Sequence, residues 1–78
     1  MKIEIRLIGR LEEYWVTDEP LELIDGGSVA DALSSIGIPG DELGMVSMNG
    51  ESVSKHNRST TILHDGDQLT AMALIKGG

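Results

Sequence analysis

Residues 28–37 read Ser-Val-Ala-Asp-Ala-Leu-Ser-Ser-Ile-Gly, and this segment decides the fold because it predicts the main helix of the chain. Ser28 is suited to cap a helix that starts at Val29, and Asp31 follows at the spacing of a capping box. Gly37 is a natural end for the same helix. The apolar residues between the two ends fall at i, i+3, i+4 and i+7, which makes one stripe that packs on a sheet. That stripe consists of Val29, Ala32, Leu33 and Ile36.

Two strands are predicted before this helix. Residues 2–8 alternate apolar and charged side chains with a period of two, and Gly9 ends the pattern. Residues 10–19 form a polar connection with room for one helical turn, and residues 21–24 follow Pro20 as a second strand. Each strand is expected to present one face to the core. The residues expected on that face are Ile3, Ile5, Leu7, Leu21 and Leu23.

The sequence after the helix predicts three more extended segments. Residues 45–48 form a strand, and residues 52–60 are polar and irregular. Residues 61–63 form a short extended piece, and residues 68–75 form the last strand. The residues expected to face the core are Val46, Met48, Leu69, Ala71 and Ala73.

The order strand, strand, helix, strand, short strand, strand predicts a two-layer α+β domain. A mixed sheet of four to five strands then packs on one main helix. A chain of 78 residues is enough for one compact domain and too short for two. We therefore expect a single domain over residues 1–78, with the two C-terminal glycines as a flexible tail.

The composition narrows the possible partners. Thirteen acidic and six basic side chains give a formal charge of -7, which repels nucleic acid and anionic membranes. An acidic surface suits docking to a basic patch on another protein, although it also serves solubility alone. The chain has no cysteine, and its N-terminus lacks the apolar region of a signal peptide. We expect a cytoplasmic protein whose mature form is the whole chain.

Several polar residues resemble parts of chemical sites but have structural explanations. Gly50 and Gly66 follow Asn49 and Asp65 in turns that require a positive φ. Carboxylates in such turns usually bond to nearby backbone amides, so we expect no metal site at Asp65 and Asp67. His56 and His64 are best interpreted as surface histidines, and Ser28 as a helix cap.

Three motifs occur in an order that resembles a known family. They are Val46-x-Met48-Asn49-Gly50-Glu51, Leu63-x-Asp65-Gly66-Asp67-x-Leu69 and the terminal Ile75-x-Gly77-Gly78. Together they resemble the MoaD/ThiS family of ubiquitin-like sulfur carriers, and the likeness spans essentially the whole chain. The resemblance implies a β-grasp fold.

The resemblance also implies that Gly78 is the working residue and that Gly77 supports it. In this family the terminal carboxylate is adenylated with ATP by a partner and then converted to a thiocarboxylate. The protein is thus expected to be a sulfur-carrying co-substrate or small subunit rather than an enzyme, with no cofactor bound. The implied partners are an adenylating enzyme similar to ubiquitin-activating enzymes and a sulfur-acceptor synthase subunit. The acceptor is the large subunit of molybdopterin synthase or thiazole synthase.

A docking surface is expected on the last strand, beside the terminus. Leu69, Ala71 and Ala73 are expected to face the helix. Met72 and Leu74 then lie on the open face of the sheet. Ile75 and Lys76 complete the predicted partner-binding set. Lys76 departs from the family pattern, which usually has a small or uncharged residue there.

The pathway and the mode of action stay open on sequence grounds. The long connection from Gly9 to Pro20 and the Arg6-x-x-Gly9-Arg10-Leu11 motif make the chain most similar to the molybdopterin synthase small subunit. The short segment over residues 37–45 is more similar to the thiamine carrier. Two other functions use the same fold: a ubiquitin-like modifier conjugated through Gly78, and a non-catalytic β-grasp interaction module.

Overall fold

A five-stranded sheet with one α-helix on one face makes up the part of the chain that the computed structural model describes, residues 1–75. The elements are β1 (Lys2–Ile8), β2 (Leu21–Glu22), α1 (Val29–Ile36), β3 (Leu43–Met48), β4 (Glu51–Ser52) and β5 (Gln68–Ala73). Short 3-10 helices lie at Gly9–Tyr14, Gly40–Glu42 and Lys55–Asn57.

The strands follow the order β2-β1-β5-β3-β4 across the sheet. The central pair, β1 and β5, runs parallel, and the other neighbouring pairs are antiparallel. Parallel strands need a crossover connection, and α1 lies in that connection, where it covers the sheet. This arrangement confirms the predicted α+β architecture. The predicted extended piece over residues 61–63 forms only an isolated bridge between Ile62 and Ser28, and the short strand is β4 instead. The strand order also makes β5 a central strand with neighbours on both sides. β5 leads into residues 74–78, which we call the C-terminal segment.

The helix begins and ends at the predicted residues. The Asp31 backbone N–H donates to Ser28 Oγ at 3.1 Å, and the Ser28 backbone N–H donates to Asp31 Oδ2 at 2.9 Å. Both halves of the capping box are therefore formed, which stabilises a helix by about 1 kcal/mol. Gly37 ends α1 in the left-handed conformation, with φ 87°. These local signals fix the ends of an eight-residue helix.

The core forms between α1 and one face of the sheet. Most residues predicted to face it are buried, and Ile5, Ile36, Met48 and Ala73 are partly buried against it. Leu11 was not predicted as a core residue, but the 3-10 helix after β1 turns its side chain inward, where it is fully buried. The buried apolar residues are Ile3, Leu7, Leu11, Leu21, Leu23, Val29, Ala32, Leu33, Val46, Leu63, Leu69 and Ala71.

The second strand is shorter than predicted. The sequence predicts residues 21–24, whereas β2 ends at Glu22. Pairing continues for one more residue, because the Leu23 N–H donates to the Met1 carbonyl at 2.9 Å and the N-terminal ammonium donates to the Leu23 carbonyl at 2.8 Å. Ile24 lies beyond this pairing and is exposed.

The third strand and the irregular segment after it also differ from the prediction. β3 begins at Leu43 instead of residue 45. Its end forms a tight hairpin with β4, in which Asn49 has φ 52° and Gly50 has φ 86°, the two positive values of a type I′ turn. Ser52, predicted in the irregular segment, belongs to β4 because this turn returns the chain alongside β3.

Candidate functional site

The predicted site residues fall into two groups. Gly78, Gly77 and Lys76 lie outside the described residues, so their predicted roles stay predictions. Met72, Leu74 and Ile75 are described, and their side chains are 37%, 44% and 85% exposed. The structure therefore brings three candidate docking residues to the surface, immediately before the predicted reactive end of the chain.

Met72 belongs to an apolar surface on the open face of the sheet. The parallel register of β1 and β5 places Ile8 beside Met72, and both side chains are about one-third exposed. Met45 on β3 is 62% exposed. Ile8 and Met45 were not among the predicted site residues. Each directly adjoins a buried residue, so strand alternation places both on the open face. We call Ile8, Met45, Met72 and Leu74 the apolar patch.

A groove of about 510 Å³ opens beside this patch. Met45, Met72 and Leu74 of the patch line it, and Ile75, the last residue that the structure describes, extends the lining. Its charged side chains come from elsewhere in the chain, namely Lys55 and Arg58 in and after the third 3-10 helix.

The groove exists because β3 is irregular where it meets the end of β5. Leu43 pairs with Ala73 and Val46 pairs with Ala71, so β3 has one extra residue between the two pairs, as in a β-bulge. Gly44 lies in this bulge. A Cβ at Gly44 would lie 3.0 Å from the carbonyl oxygens of Met72 and Ala73, so a side chain there would push the strands apart.

Arg58 forms a hydrogen bond with the backbone of the bulge. Its Nη2 donates to the Gly44 carbonyl oxygen at 3.1 Å, which satisfies an acceptor that the irregular pairing exposes. Its buried Nε has no hydrogen-bond partner among residues 1–75. Arg58 lies in a segment predicted to be irregular, so its place in the site could be found only from the folded structure.

Glu42 fixes the point where the chain leaves the sheet after β5. β5 ends at Ala73 instead of residue 75. The Leu74 N–H donates to the Glu42 carbonyl at 2.9 Å, and this bond flanks the Leu43–Ala73 pair at the end of the antiparallel ladder. The Glu42 carboxylate accepts a hydrogen bond from the Tyr14 hydroxyl. This hydrogen bond to a carboxylate raises the pKa of Tyr14 to about 12, because ionisation would break it and place two negative charges together.

The two glycine turns of the motifs lie at the opposite end of β5. The Asn49 amide nitrogen donates to Asp67 Oδ1 at 2.9 Å, and the Gln68 N–H donates to Asn49 Oδ1 at 2.9 Å. The His64 N–H donates to Asp67 Oδ2 at 2.8 Å. The Asn49 and His64 hydrogen bonds lower the pKa of Asp67, because they favour its charged form. These motif residues join two turns and lie far along the strand from the candidate site.

Residues 1–75 contain neither a metal-binding cluster nor a membrane-spanning helix. In that range no cluster of three or more His, Cys, Asp or Glu side chains has the arrangement needed to hold a metal ion. Over the same residues, none of the helices has the length and apolar character needed to cross a bilayer.

Three solved structures from two organisms have the same fold. The thiamine biosynthesis protein ThiS from Geobacter metallireducens is 18% identical, with a TM-score of 0.70 and full coverage of both chains. SAMP1 from Haloferax volcanii is 20% identical, with a TM-score of 0.73 and full coverage of both chains. The Haloferax volcanii HVO 2177 protein is 22% identical, with a TM-score of 0.78 over 100% of this chain and 87% of its own. These likenesses confirm the predicted β-grasp fold.

Sequence comparison identifies the family. No curated protein sequence matches the chain. The model of the ThiS family, in contrast, matches residues 5–78, from within β1 to the Gly-Gly end. The chain therefore belongs to the ThiS family.

Proposed function

We propose that this protein is a sulfur carrier whose Gly78 carboxylate is adenylated and then converted to a thiocarboxylate. The observation that carries this proposal is the match to the ThiS family through residue 78, which includes Gly77 and Gly78. Proteins of this family are in general small carriers rather than catalysts, and membership implies contact with an activating enzyme and a sulfur-transfer synthase. The exposed apolar patch beside the C-terminal segment supports such contacts.

The chemistry explains why an activating partner is needed. An α-carboxylate with a pKa of about 3.3 to 3.7 is ionised at neutral pH and is a poor electrophile. In the proposed reaction a Gly78 carboxylate oxygen attacks the α-phosphorus of ATP, and pyrophosphate leaves. A sulfur nucleophile at the oxidation level of sulfide then attacks the acyl carbon, the C–S bond forms and AMP leaves. ATP is therefore used by the partner and is not a resident cofactor of this chain.

The residue types before the terminus fit delivery into a foreign nucleotide pocket. Four extended residues from Ile75 reach about 13 Å at roughly 3.3 Å each. Glycine at positions 77 and 78 has no Cβ, so this segment can pass through a narrow channel and adopt the φ that the channel requires. In this proposal Met72, Leu74, Ile75 and Lys76 contact the partner while the two glycines enter the pocket.

The proposed sulfur acceptor is a cofactor synthase. The acceptor is the large subunit of molybdopterin synthase or thiazole synthase, and the sequence motifs between residues 6 and 20 favour the molybdopterin side. Adenylation requires ATP, which agrees with the cytoplasmic location expected from the cysteine-free sequence.

Intact-protein mass spectrometry tests the proposal. The chain is incubated with ATP, a sulfur donor and an adenylating enzyme of the ubiquitin-activating class from the same genome. We expect the mass increase produced by replacement of one oxygen with sulfur, located on Gly78 by fragmentation. A variant that ends at Ile75 is the control and should stay unmodified. Failure of the full chain to consume ATP with such activators would contradict the proposal.

A second candidate function is conjugation to other proteins through Gly78. The observation that favours it is the similarity to SAMP1, since another Haloferax volcanii structure of the same fold is of a small archaeal modifier protein. Intact-protein mass spectrometry of material from native-like cells distinguishes the two functions, because a modifier forms high-mass conjugates with target proteins through isopeptide bonds. A non-catalytic interaction module, in contrast, would keep its binding after removal of Gly77 and Gly78.

A further inference from the structure

The groove beside the apolar patch has a charge opposite to that of the whole protein. The chain carries thirteen acidic and six basic residues, yet within residues 1–75 the charged side chains that line the groove are Lys55 and Arg58, without an aspartate or glutamate. An adjoining groove of about 350 Å³ shares Met45, Lys55 and Arg58 and continues to residues 52–54. Over the described part of the chain its lining also lacks carboxylates. We call the two together the cationic groove.

The positive charge of this groove is held in place but not neutralised. Arg58 is partly buried, and its Nη2 donates to a neutral acceptor, the Gly44 carbonyl oxygen. Neither Lys55 nor Arg58 forms an ion pair with a carboxylate within residues 1–75. A guanidinium forms its strongest hydrogen bonds with a carboxylate. Arg58 bonds to a neutral carbonyl oxygen, so a carboxylate from a partner would bind it more strongly.

The walls of the groove are apolar and adaptable. Met45 on β3 and Met72 on β5 both line the groove beside the bulge, and Leu74 and Ile75 extend the apolar lining. Methionine side chains are flexible and polarisable, so they adapt to varied apolar groups. The groove therefore combines a fixed cation with a surface suited to aliphatic or aromatic side chains.

We infer that the cationic groove binds a segment of the activating enzyme in which a carboxylate lies next to apolar side chains. This inference rests on the proposed function and adds the chemistry of the partner surface. Net charge alone favours a basic partner surface, whereas the groove beside the C-terminal segment selects an acidic one. The net negative charge of the chain disfavours docking of such a segment elsewhere, so docking is favoured at the groove that Lys55 and Arg58 line. This orients the carrier with Ile75 toward the nucleotide pocket.

The test compares two charge reversals in the adenylation reaction. Lys55→Glu places a carboxylate in the groove, whereas Lys2→Glu makes the same change in net charge at the far end of β1. Both side chains are exposed, so both variants should fold, and circular dichroism checks this. ATP–pyrophosphate exchange with the activating enzyme gives KM and kcat for each variant. We expect Lys55→Glu to raise KM roughly five- to tenfold with kcat nearly unchanged, and Lys2→Glu to have little effect.

The other outcomes separate failure of this inference from failure of the proposed function. If wild-type protein supports no pyrophosphate exchange, the proposed function fails and the inference fails with it. If wild type is active and Lys55→Glu matches Lys2→Glu, only the inference is overturned. A lower KM for Lys55→Glu also overturns it, because it would show that positive charge in the groove hinders docking. As a further check, added salt should raise the wild-type KM more than that of Lys55→Glu.

Discussion

The backbone N–H of Leu74 donates a hydrogen bond to the carbonyl oxygen of Glu42 at 2.9 Å, just after β5 ends. Glu42 lies in the 3-10 helix before β3, so this contact ties the departing chain to the neighbouring strand rather than to β1. The Glu42 carboxylate accepts a hydrogen bond from the hydroxyl of Tyr14, which lies in the 3-10 helix after β1. Two short helices thus converge on the position from which the proposed reactive segment starts.

The Tyr14 contact predicts an unusual alkaline titration. Because the Glu42 carboxylate raises the pKa of Tyr14 to about 12, the phenol should ionise with a midpoint near that value. Since the chain has one tyrosine, phenolate absorbance reports this group alone. Replacing Glu42 with glutamine keeps an acceptor but removes the charge, so the midpoint should move toward about 10. A wild-type midpoint near 10 would contradict the contact.

The same shift makes stability depend on alkaline pH. The pKa is higher in the folded state, so the Tyr14 contribution is present below about pH 10 and is lost as pH rises toward about 12. Denaturation by urea at several pH values should show this loss in wild type. Tyr14→Phe should be less stable than wild type at neutral pH, and the difference should shrink at high pH. A difference that is constant with pH would show that the hydroxyl contributes only through packing.

We expect a single methyl group at position 44 to lower the free energy of unfolding. In Gly44→Ala the new Cβ would lie 3.0 Å from two backbone oxygens of β5, and backbone in a sheet yields little. Such overpacking costs about 1–3 kcal/mol, which exceeds the gain of about 0.4–1 kcal/mol from a less flexible unfolded chain. We therefore expect the free energy of unfolding to fall by about 1 kcal/mol, measured by urea denaturation.

Gly40 provides the matched control for this substitution. It lines the same groove, but a Cβ there meets no atom within 4 Å. Gly40→Ala should therefore leave the free energy of unfolding unchanged or slightly higher. Equal stability losses in the two variants would mean that the bulge between β3 and β5 can relax around a side chain.

Asp67 predicts a loss of stability in acid. The hydrogen bonds from Asn49 and the His64 backbone lower its folded-state pKa, so its contribution is present above the unfolded value of about 3.9 and is lost as pH falls below it. Asp67→Asn should be less stable than wild type at pH 7, and the gap should narrow in acid. Denaturation at neutral and acidic pH measures this, with the exposed Asp18→Asn as a control that should show little effect at either pH.

The sequence was sufficient for the parts of the fold that local signals specify. Ser28, Asp31 and Gly37 fix both ends of α1 through bonds within a few residues, and the period of each strand assigns its core face. Leu11 escaped prediction because it lies in a polar segment, and only its packing after the turn at Gly9 buries it.

The candidate site could be predicted only in part, because it depends on contacts between distant segments. Alternation along the last strand gives the exposure of Met72 correctly. The groove requires the extra residue in β3 and the reach of Arg58 to Gly44, and no periodic pattern encodes either. The roles of Gly77 and Gly78 come from family resemblance and chemistry and stay predictions.

The apolar patch predicts that docking and chemistry can be separated by one substitution. Leu74→Gln removes an aliphatic group that is 44% exposed in the groove while leaving its backbone contact with Glu42 and both terminal glycines intact. If the patch docks the activating enzyme, KM in pyrophosphate exchange should rise about tenfold, as expected for a central interface residue, with kcat nearly unchanged. Ile24→Gln is the matched control, because Ile24 is 79% exposed beyond β2 and outside the groove. Equal KM values for the two variants would show that apolar exposure beside the C-terminal segment plays no part in recognition, whereas a lower kcat for Leu74→Gln would place its side chain in the positioning of Gly78 rather than in docking.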